Sequence, residues 1–122
     1  MRALIVDDSQ WARKHLRSLL EQQGFTCEEA ADGLLGMERL RAGDEFDIAL
    51  VDWYMPAMGG LEMVKALRGE GFQRLKVMMV TGDGESGTIV RALTAGADEY
   101  LMKPFDAEAL REKLSLMGLE VA

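Results

Sequence analysis

The chain has 122 residues, enough for one domain whose core needs neither disulfides nor a structural metal. Its 14 basic and 21 acidic side chains give a net charge of −7, which excludes the basic stripe that sequence-independent nucleic-acid binding requires. Cys27 is the only cysteine, so no internal disulfide forms, and a buried, hydrophobe-like thiol in a reducing compartment is expected.

Two periodicities alternate along the chain. Ala3–Val6 is a continuous apolar run, the pattern of a strand buried on both faces. It is too short for a signal-peptide core, and no run approaches membrane-spanning length, so a cytoplasmic location without membrane insertion is expected. From Ser9, Ala12, Leu16, Leu19 and Leu20 recur at helical spacing until Gly24. Phe25–Ala30 is a second, more polar strand suited to a sheet edge. Gly33–Arg41 is a helix with Leu34, Met37 and Leu40 on its inner face. Phe46–Val51 is a third strand, and Gly60–Arg68 a helix with Leu61, Val64 and Leu67 inward. Leu75–Val80 is a fourth strand, Ser86–Ala95 a helix stopped by Gly96, and Tyr100–Met102 a short fifth strand. Asp106 caps a last helix that runs through Leu116. Five strand–helix units in alternation imply an α/β fold with a parallel sheet, helices on both faces and right-handed crossovers. Residues 1–122 are read as one domain.

In such sheets the functional site lies beyond the carboxyl ends of the strands. Strand 1 ends in Asp7-Asp8, strand 3 in Asp52, strand 4 in Thr81-Gly82 and strand 5 in Lys103-Pro104. Three carboxylates brought together disfavour one another's ionised forms, and a hard cation relieves the crowding. Mg²⁺ suits a site of carboxylates, waters and a phosphate. A carboxylate can accept a phosphoryl group as an aspartyl phosphate. Asp52 is the candidate acceptor, because its strand is central in the expected order. Asp7 and Asp8 are candidate metal ligands, and Thr81 and Lys103 candidate partners of the phosphoryl oxygens.

The matching segments are Leu4-Ile5-Val6-Asp7-Asp8-Ser9, Asp52-Trp53-Tyr54-Met55-Pro56-Ala57-Met58-Gly59-Gly60-Leu61-Glu62, Val80-Thr81-Gly82 and Gly96-Ala97-Asp98-Glu99-Tyr100-Leu101-Met102-Lys103-Pro104-Phe105. With these in order over nearly its whole length, the chain resembles the receiver domain of bacterial response regulators, of the stand-alone chemotaxis-regulator type. The resemblance implies a flavodoxin-like three-layer sandwich whose parallel five-stranded sheet has the order 2-1-3-4-5. It implies Asp52 as phosphoacceptor, and Asp7, Asp8, Asp52 and the backbone carbonyl of Tyr54 around Mg²⁺. It further implies Thr81 and Tyr100 as switch residues, Lys103 as the charge partner of the phosphoryl group, and a cis Lys103–Pro104 bond.

The implied partners are a sensor histidine kinase or phosphotransfer protein as donor, and a protein target reading the fourth helix, fifth strand and fifth helix, Ser86–Leu116. The implied chemistry is limited to the domain's own phosphorylation and dephosphorylation, in a monomer or a phosphorylation-dependent dimer, with no effector domain attached. Gly59 departs from the family's usual Asp or Asn at the start of the third helix. Tyr54 and Asp83 occupy positions that tune dephosphorylation in the family the chain resembles. His15, mid-helix beside Lys14, reads as a surface histidine away from the strand ends.

Three other functions compete with this reading. An aspartyl-nucleophile phosphatase needs a second carboxylate two residues after the nucleophile, where this chain has Tyr54. A flavin carrier needs a hydroxyl- and glycine-rich phosphate loop after strand 1, where this chain has Asp7-Asp8. A phosphorylation-independent protein-binding module of receiver type is the remaining alternative.

Overall fold

In a computed structural model, which describes residues 1–82 and 86–119, the strand–helix alternation of the sequence closes into a parallel sheet. The elements are β1 (Arg2–Val6), α1 (Gln10–Gln22), β2 (Thr26–Ala30), α2 (Gly33–Arg41), β3 (Ile48–Asp52), α3 (Gly60–Gly69), β4 (Lys76–Thr81), α4 (Ser86–Ala95), β5 (Glu99–Met102) and α5 (Ala107–Leu116). The sheet order is β2-β1-β3-β4-β5, with every pairing parallel. The order reverses between β1 and β3, so the crevice of this fold opens at their carboxyl ends.

Alternation of side chains along each strand divides the core in two. Leu4, Val6, Ala49, Val51, Val77 and Met79 face one side, where α2, α3 and α4 bring Met37, Leu40, Met63, Val64, Leu67 and Ala92. Ala3, Ile5, Ile48, Leu50, Met78, Val80 and Leu101 face the other, where α1 and α5 bring Leu16, Leu20, Leu110 and Leu114. The result is a three-layer sandwich. The methionines Met37, Met63, Met78 and Met79 are fully buried, as expected of core filler. Cys27 is buried too, and burial pushes its thiol up to about 11.

Local chemistry fixes the starts of the helices. The side chains of Ser9, Asp32 and Asp106 each accept a hydrogen bond from the third residue beyond them, capping α1, α2 and α5. At α3, Gly59 stands in the capping position and offers no side-chain bond. The inner face of α2 differs from the sequence expectation: Leu34 is exposed, and Gly33, Gly36, Met37 and Leu40 are buried. Any Cβ on Gly33 would meet the Met58 carbonyl, and one on Gly36 would meet Met63. The helix therefore lies close on its glycines, and Leu34 is rotated outward. In α3 the buried stripe is Gly60, Met63, Val64 and Leu67, with Leu61 only half-buried.

Candidate functional site

The strand ends that carry the chemistry are set by register. Val6 pairs with Val51, Asp52 with Val80 and Thr81 with Met102, so the residues following β1, β3, β4 and β5 emerge along one edge. Asp52 and Thr81 are the terminal residues of their strands, one residue beyond the expected ends. The pleat continues past the strands and sends neighbours to opposite sides. Asp7 lines a cavity of about 460 Å³ toward α1 and α5, with Val80, Lys103 and Pro104. Asp8 lines a second cavity of about 550 Å³ toward α3 and α4, with Trp53, Tyr54, Glu62 and Arg91.

Between the two cavities, Asp7, Asp8 and Asp52 each offer a carboxylate oxygen, all within 4.8 Å of one another. Asp7 is buried, Asp52 half-buried and Asp8 exposed. The Lys103 ammonium donates to Asp52 Oδ1 at 3.1 Å and to Asp7 Oδ2 at 3.4 Å. Burial pushes the Asp52 carboxyl up and the nearby Asp7 charge pushes the same way; the Lys103 bond opposes both, and Asp52 remains above its ordinary value. Burial pulls the Lys103 ammonium down, but its bond to Asp52 and the charges of Asp52 and Asp7 outweigh that and leave it raised. The set is a strained anionic cluster with one cation already in it. Oxygen-only donors at this spacing fit a small hard dication, with waters completing its shell.

The remaining expected residues fall around this cluster. Thr81 is buried, and its carbonyl accepts from the Lys103 backbone N–H at 2.8 Å. Tyr54 shares the cavity of Asp8, with its ring exposed. Tyr100 is half-buried against the α2–α4 core, with the Lys113 ammonium 4.1 Å from its ring centroid. The Lys103–Pro104 peptide is cis, as expected. Asp83 lies outside the described residues. Trp53 packs on the same core, and the Arg91 guanidinium of α4 sits 5.8 Å from its ring centroid.

One reading is corrected. His15 is half-buried and stacks between Trp11 and Phe105, at 5.1 and 5.7 Å. It lines the cavity of Asp7 and Lys103, so it is neither a plain surface residue nor remote from the strand ends. The turn leading into α5 carries Phe105 back over α1, which pairwise spacing in the sequence does not reveal.

Sequence reasoning also missed a network behind the acidic pair. Arg13 Nη1 donates to the Asp7 carbonyl at 2.7 Å, and Arg13 Nε to Glu29 at 3.1 Å. Lys14 and Arg17 donate to the same glutamate, at 2.9 and 2.7 Å. The available signal was the run of Arg13, Lys14 and Arg17 on one helix, set against two glutamates, Glu28 and Glu29, in an edge strand.

Comparison with known proteins agrees with this geometry. The family model of the response regulator receiver domain matches residues 3–115. The chain is 40% identical over 116 residues to chemotaxis protein CheY-3 of Vibrio cholerae serotype O1, covering 93% of this chain and 88% of that protein. It is equally identical over 116 residues to chemotaxis protein CheY of Pseudomonas aeruginosa, covering 93% of each. Among solved structures, Vibrio cholerae CheY4 superposes with a TM-score of 0.88 at 31% identity, covering 94% of this chain and 96% of that one. A chain of the CheX-CheY-BeF3-Mg²⁺ complex from Borrelia burgdorferi does so with a TM-score of 0.88 at 26% identity, covering 96% and 89%.

Proposed function

Because this chain belongs to the response regulator receiver domain family and is homologous to the chemotaxis CheY proteins, we propose that it is a signalling switch, Asp52 being its phosphoacceptor. The observation that carries this reading is the convergence of Asp7, Asp8 and Asp52 within 4.8 Å, with Lys103 bonded to two of them.

Asp7, Asp8, Asp52 and the Tyr54 carbonyl are the groups that would hold Mg²⁺. Bound there, the ion supplies positive charge that lets an anionic phosphoryl donor enter an anionic pocket. An Asp52 carboxylate oxygen forms the new bond to phosphorus while the donor's bond to phosphorus breaks and the leaving group takes up the electron pair. Lys103, held on the Asp52 side by its own hydrogen bond, moves its charge onto the transferred oxygens. The Thr81 hydroxyl, at the end of the neighbouring strand, is the group to bond them next. Tyr100, on β5 beside β4, is suited to follow Thr81, and the pair links the site to the α4-β5-α5 face.

A histidine kinase or phosphotransfer protein is the proposed donor, and a protein docking on α4-β5-α5 the proposed reader. That face carries exposed Val90, Leu93, Met102 and Leu116, an apolar set suited to a partner. The relative solved in complex with CheX makes a CheX-like protein a second candidate partner. No helix among the described residues is long and apolar enough to cross a membrane, consistent with the proposed cytoplasmic location. The turned-over substrate is the domain itself; no second carboxylate stands at Tyr54 to act as the general acid of a phosphatase.

The test is incubation with a small acyl phosphate and Mg²⁺, read by intact mass. One added phosphoryl group is expected, lost with excess chelator and in Asp52→Asn. Undiminished labelling of Asp52→Asn overturns the assignment.

A further inference from the structure

Arg13 closes the first turn of α1, a few residues after the acidic pair, and its guanidinium reaches back to the loop that carries two of the three carboxylates. Its Nη1 donates to the carbonyl of Asp7 at 2.7 Å. That carbonyl belongs to the peptide joining Asp7 to Asp8, so its direction sets where the Asp8 backbone starts. The other side of the guanidinium is anchored: Nε donates to Glu29 Oε1 at 3.1 Å. Glu29 lies in the edge strand β2, one residue before Ala30, whose carbonyl accepts the Asp7 backbone N–H at 3.1 Å. The Asp7 side chain accepts from the Ser9 backbone N–H at 2.9 Å. The acidic loop is therefore tied at its N–H, its carboxylate and its carbonyl; Lys103 also donates to the carboxylate, and Arg13 alone supplies the tie to the carbonyl among the described residues.

The anchor is itself well held. The side chains of Arg13 and Glu29 are only 16% and 12% exposed. Burial opposes ionisation of Glu29, but the bonds from Lys14, Arg17 and Arg13 outweigh it and hold the carboxyl down at about 2. The glutamate is thus a fixed anion over the working pH range. Asp8, by contrast, is exposed, and among the described residues its carboxylate accepts no hydrogen bond that would orient it. An exposed ligand on a loop gains affinity when its backbone is preset, because less ordering remains to be done on binding.

We propose that Arg13, oriented by Glu29, is a positioning residue for the divalent-cation site: it presets the Asp7–Asp8 peptide so that the Asp8 carboxylate meets the ion. The inference rests on the reading of Asp7, Asp8 and Asp52 as an Mg²⁺ site. Electrostatics alone gives the opposite sign. Arg13 is a cation near a dication site, so removing it should tighten Mg²⁺ binding if charge were its only contribution. Positioning makes removal weaken binding.

The experiment is calorimetric titration of the metal-free protein with Mg²⁺, in wild type, Asp8→Asn, Arg13→Ala, Arg13→Lys, Glu29→Gln and Lys14→Ala. Loss of an outer partner of a metal ligand typically weakens affinity by about tenfold or more, and that is expected for Arg13→Ala. Arg13→Lys keeps the charge but has one donor head instead of a fork, so it should also weaken binding, though less. Lys14→Ala removes a neighbouring cation that touches Glu29 but not Asp7, and should leave affinity nearly unchanged. Amide exchange at Ser9 in the metal-free protein should speed up in Arg13→Ala and not in Lys14→Ala. Circular dichroism checks that each variant is folded; should Arg13→Ala not fold, Arg13→Lys and Glu29→Gln carry the test. Mg²⁺ binding by wild type, lost in Asp8→Asn but unchanged or tighter in the Arg13 variants, overturns the positioning role and leaves the site reading intact. Absence of Mg²⁺ binding by wild type overturns both.

Discussion

Lys103→Met isolates the charge balance at the centre of the site. At an effective dielectric constant of about 20, two carboxylate oxygens no more than 4.8 Å apart repel by at least about 3.5 kcal/mol. On the same scale, Lys103 attracts Asp52 at 3.1 Å and Asp7 at 3.4 Å by about 5 kcal/mol each. The ammonium therefore offsets most of the repulsion among the three anions before any metal arrives. These are gross terms, and the Lys103 side chain is 37% exposed, so water screens part of them. Removing one partner of a buried pair costs about 3–5 kcal/mol, which exposure reduces here to about 2 kcal/mol. For a chain of this size that is a fall in Tm of roughly 8 °C without Mg²⁺. Thermal denaturation followed by circular dichroism, with and without Mg²⁺, reads the effect. Mg²⁺ should raise the Tm of Lys103→Met more than that of wild type, because the ion replaces the missing charge and meets no ammonium. Adding Asp52→Asn to Lys103→Met should recover part of the loss. An unchanged or raised Tm for Lys103→Met in the absence of Mg²⁺ would refute the balance described here.

Gly60→Ala should destabilise by about 3 kcal/mol, since the new Cβ runs into the Asp52 backbone carbonyl, which cannot move without shifting the phosphoacceptor; urea denaturation and acyl-phosphate labelling should both report it. Glu29 has a folded value near 2 against an ordinary 4.5, so its ionised form contributes stability above the ordinary value, and that contribution disappears as pH falls toward about 2. Glu29→Gln should accordingly be less stable than wild type at neutral pH, with the gap closing across that acid window in pH-dependent urea melts. Cys27, buried and with its thiol pushed up to about 11, should resist alkylation at neutral pH until the protein unfolds; rapid stoichiometric labelling of the folded protein would contradict its place in the core.

The sequence announced all ten elements because the two signals it carries are strong here. Strands β1, β3 and β4 are buried on both faces and read as unbroken apolar runs; the helices between them repeat at helical spacing. Polar β2 was legible as an edge strand by the contrast, since an edge strand is only partly buried. The site was legible because this fold brings strand ends together, so Asp7, Asp8, Asp52, Thr81 and Lys103 could be grouped by position alone. What escaped was whatever depends on shape rather than period. Apolar periodicity places Leu34 inward because it is blind to glycine, yet Gly33 and Gly36 form the close face of α2. His15 reads as apart from the site because nothing in its helix shows that Phe105 folds over it. The Arg13–Glu29 tie was invisible because it joins a helix to an edge strand through a backbone carbonyl, and carbonyls leave no mark on sequence.

The central claim is that Asp52, among its neighbours, is the side chain that carries the phosphoryl group. Borohydride reduction of the Mg²⁺-dependent acyl-phosphate product, followed by peptide mapping, tests it most directly. The expected result is conversion of the residue at position 52 alone, suppressed when Mg²⁺ is chelated. Conversion at Asp7 or Asp8, or stable phosphate recovered on His15, would contradict it.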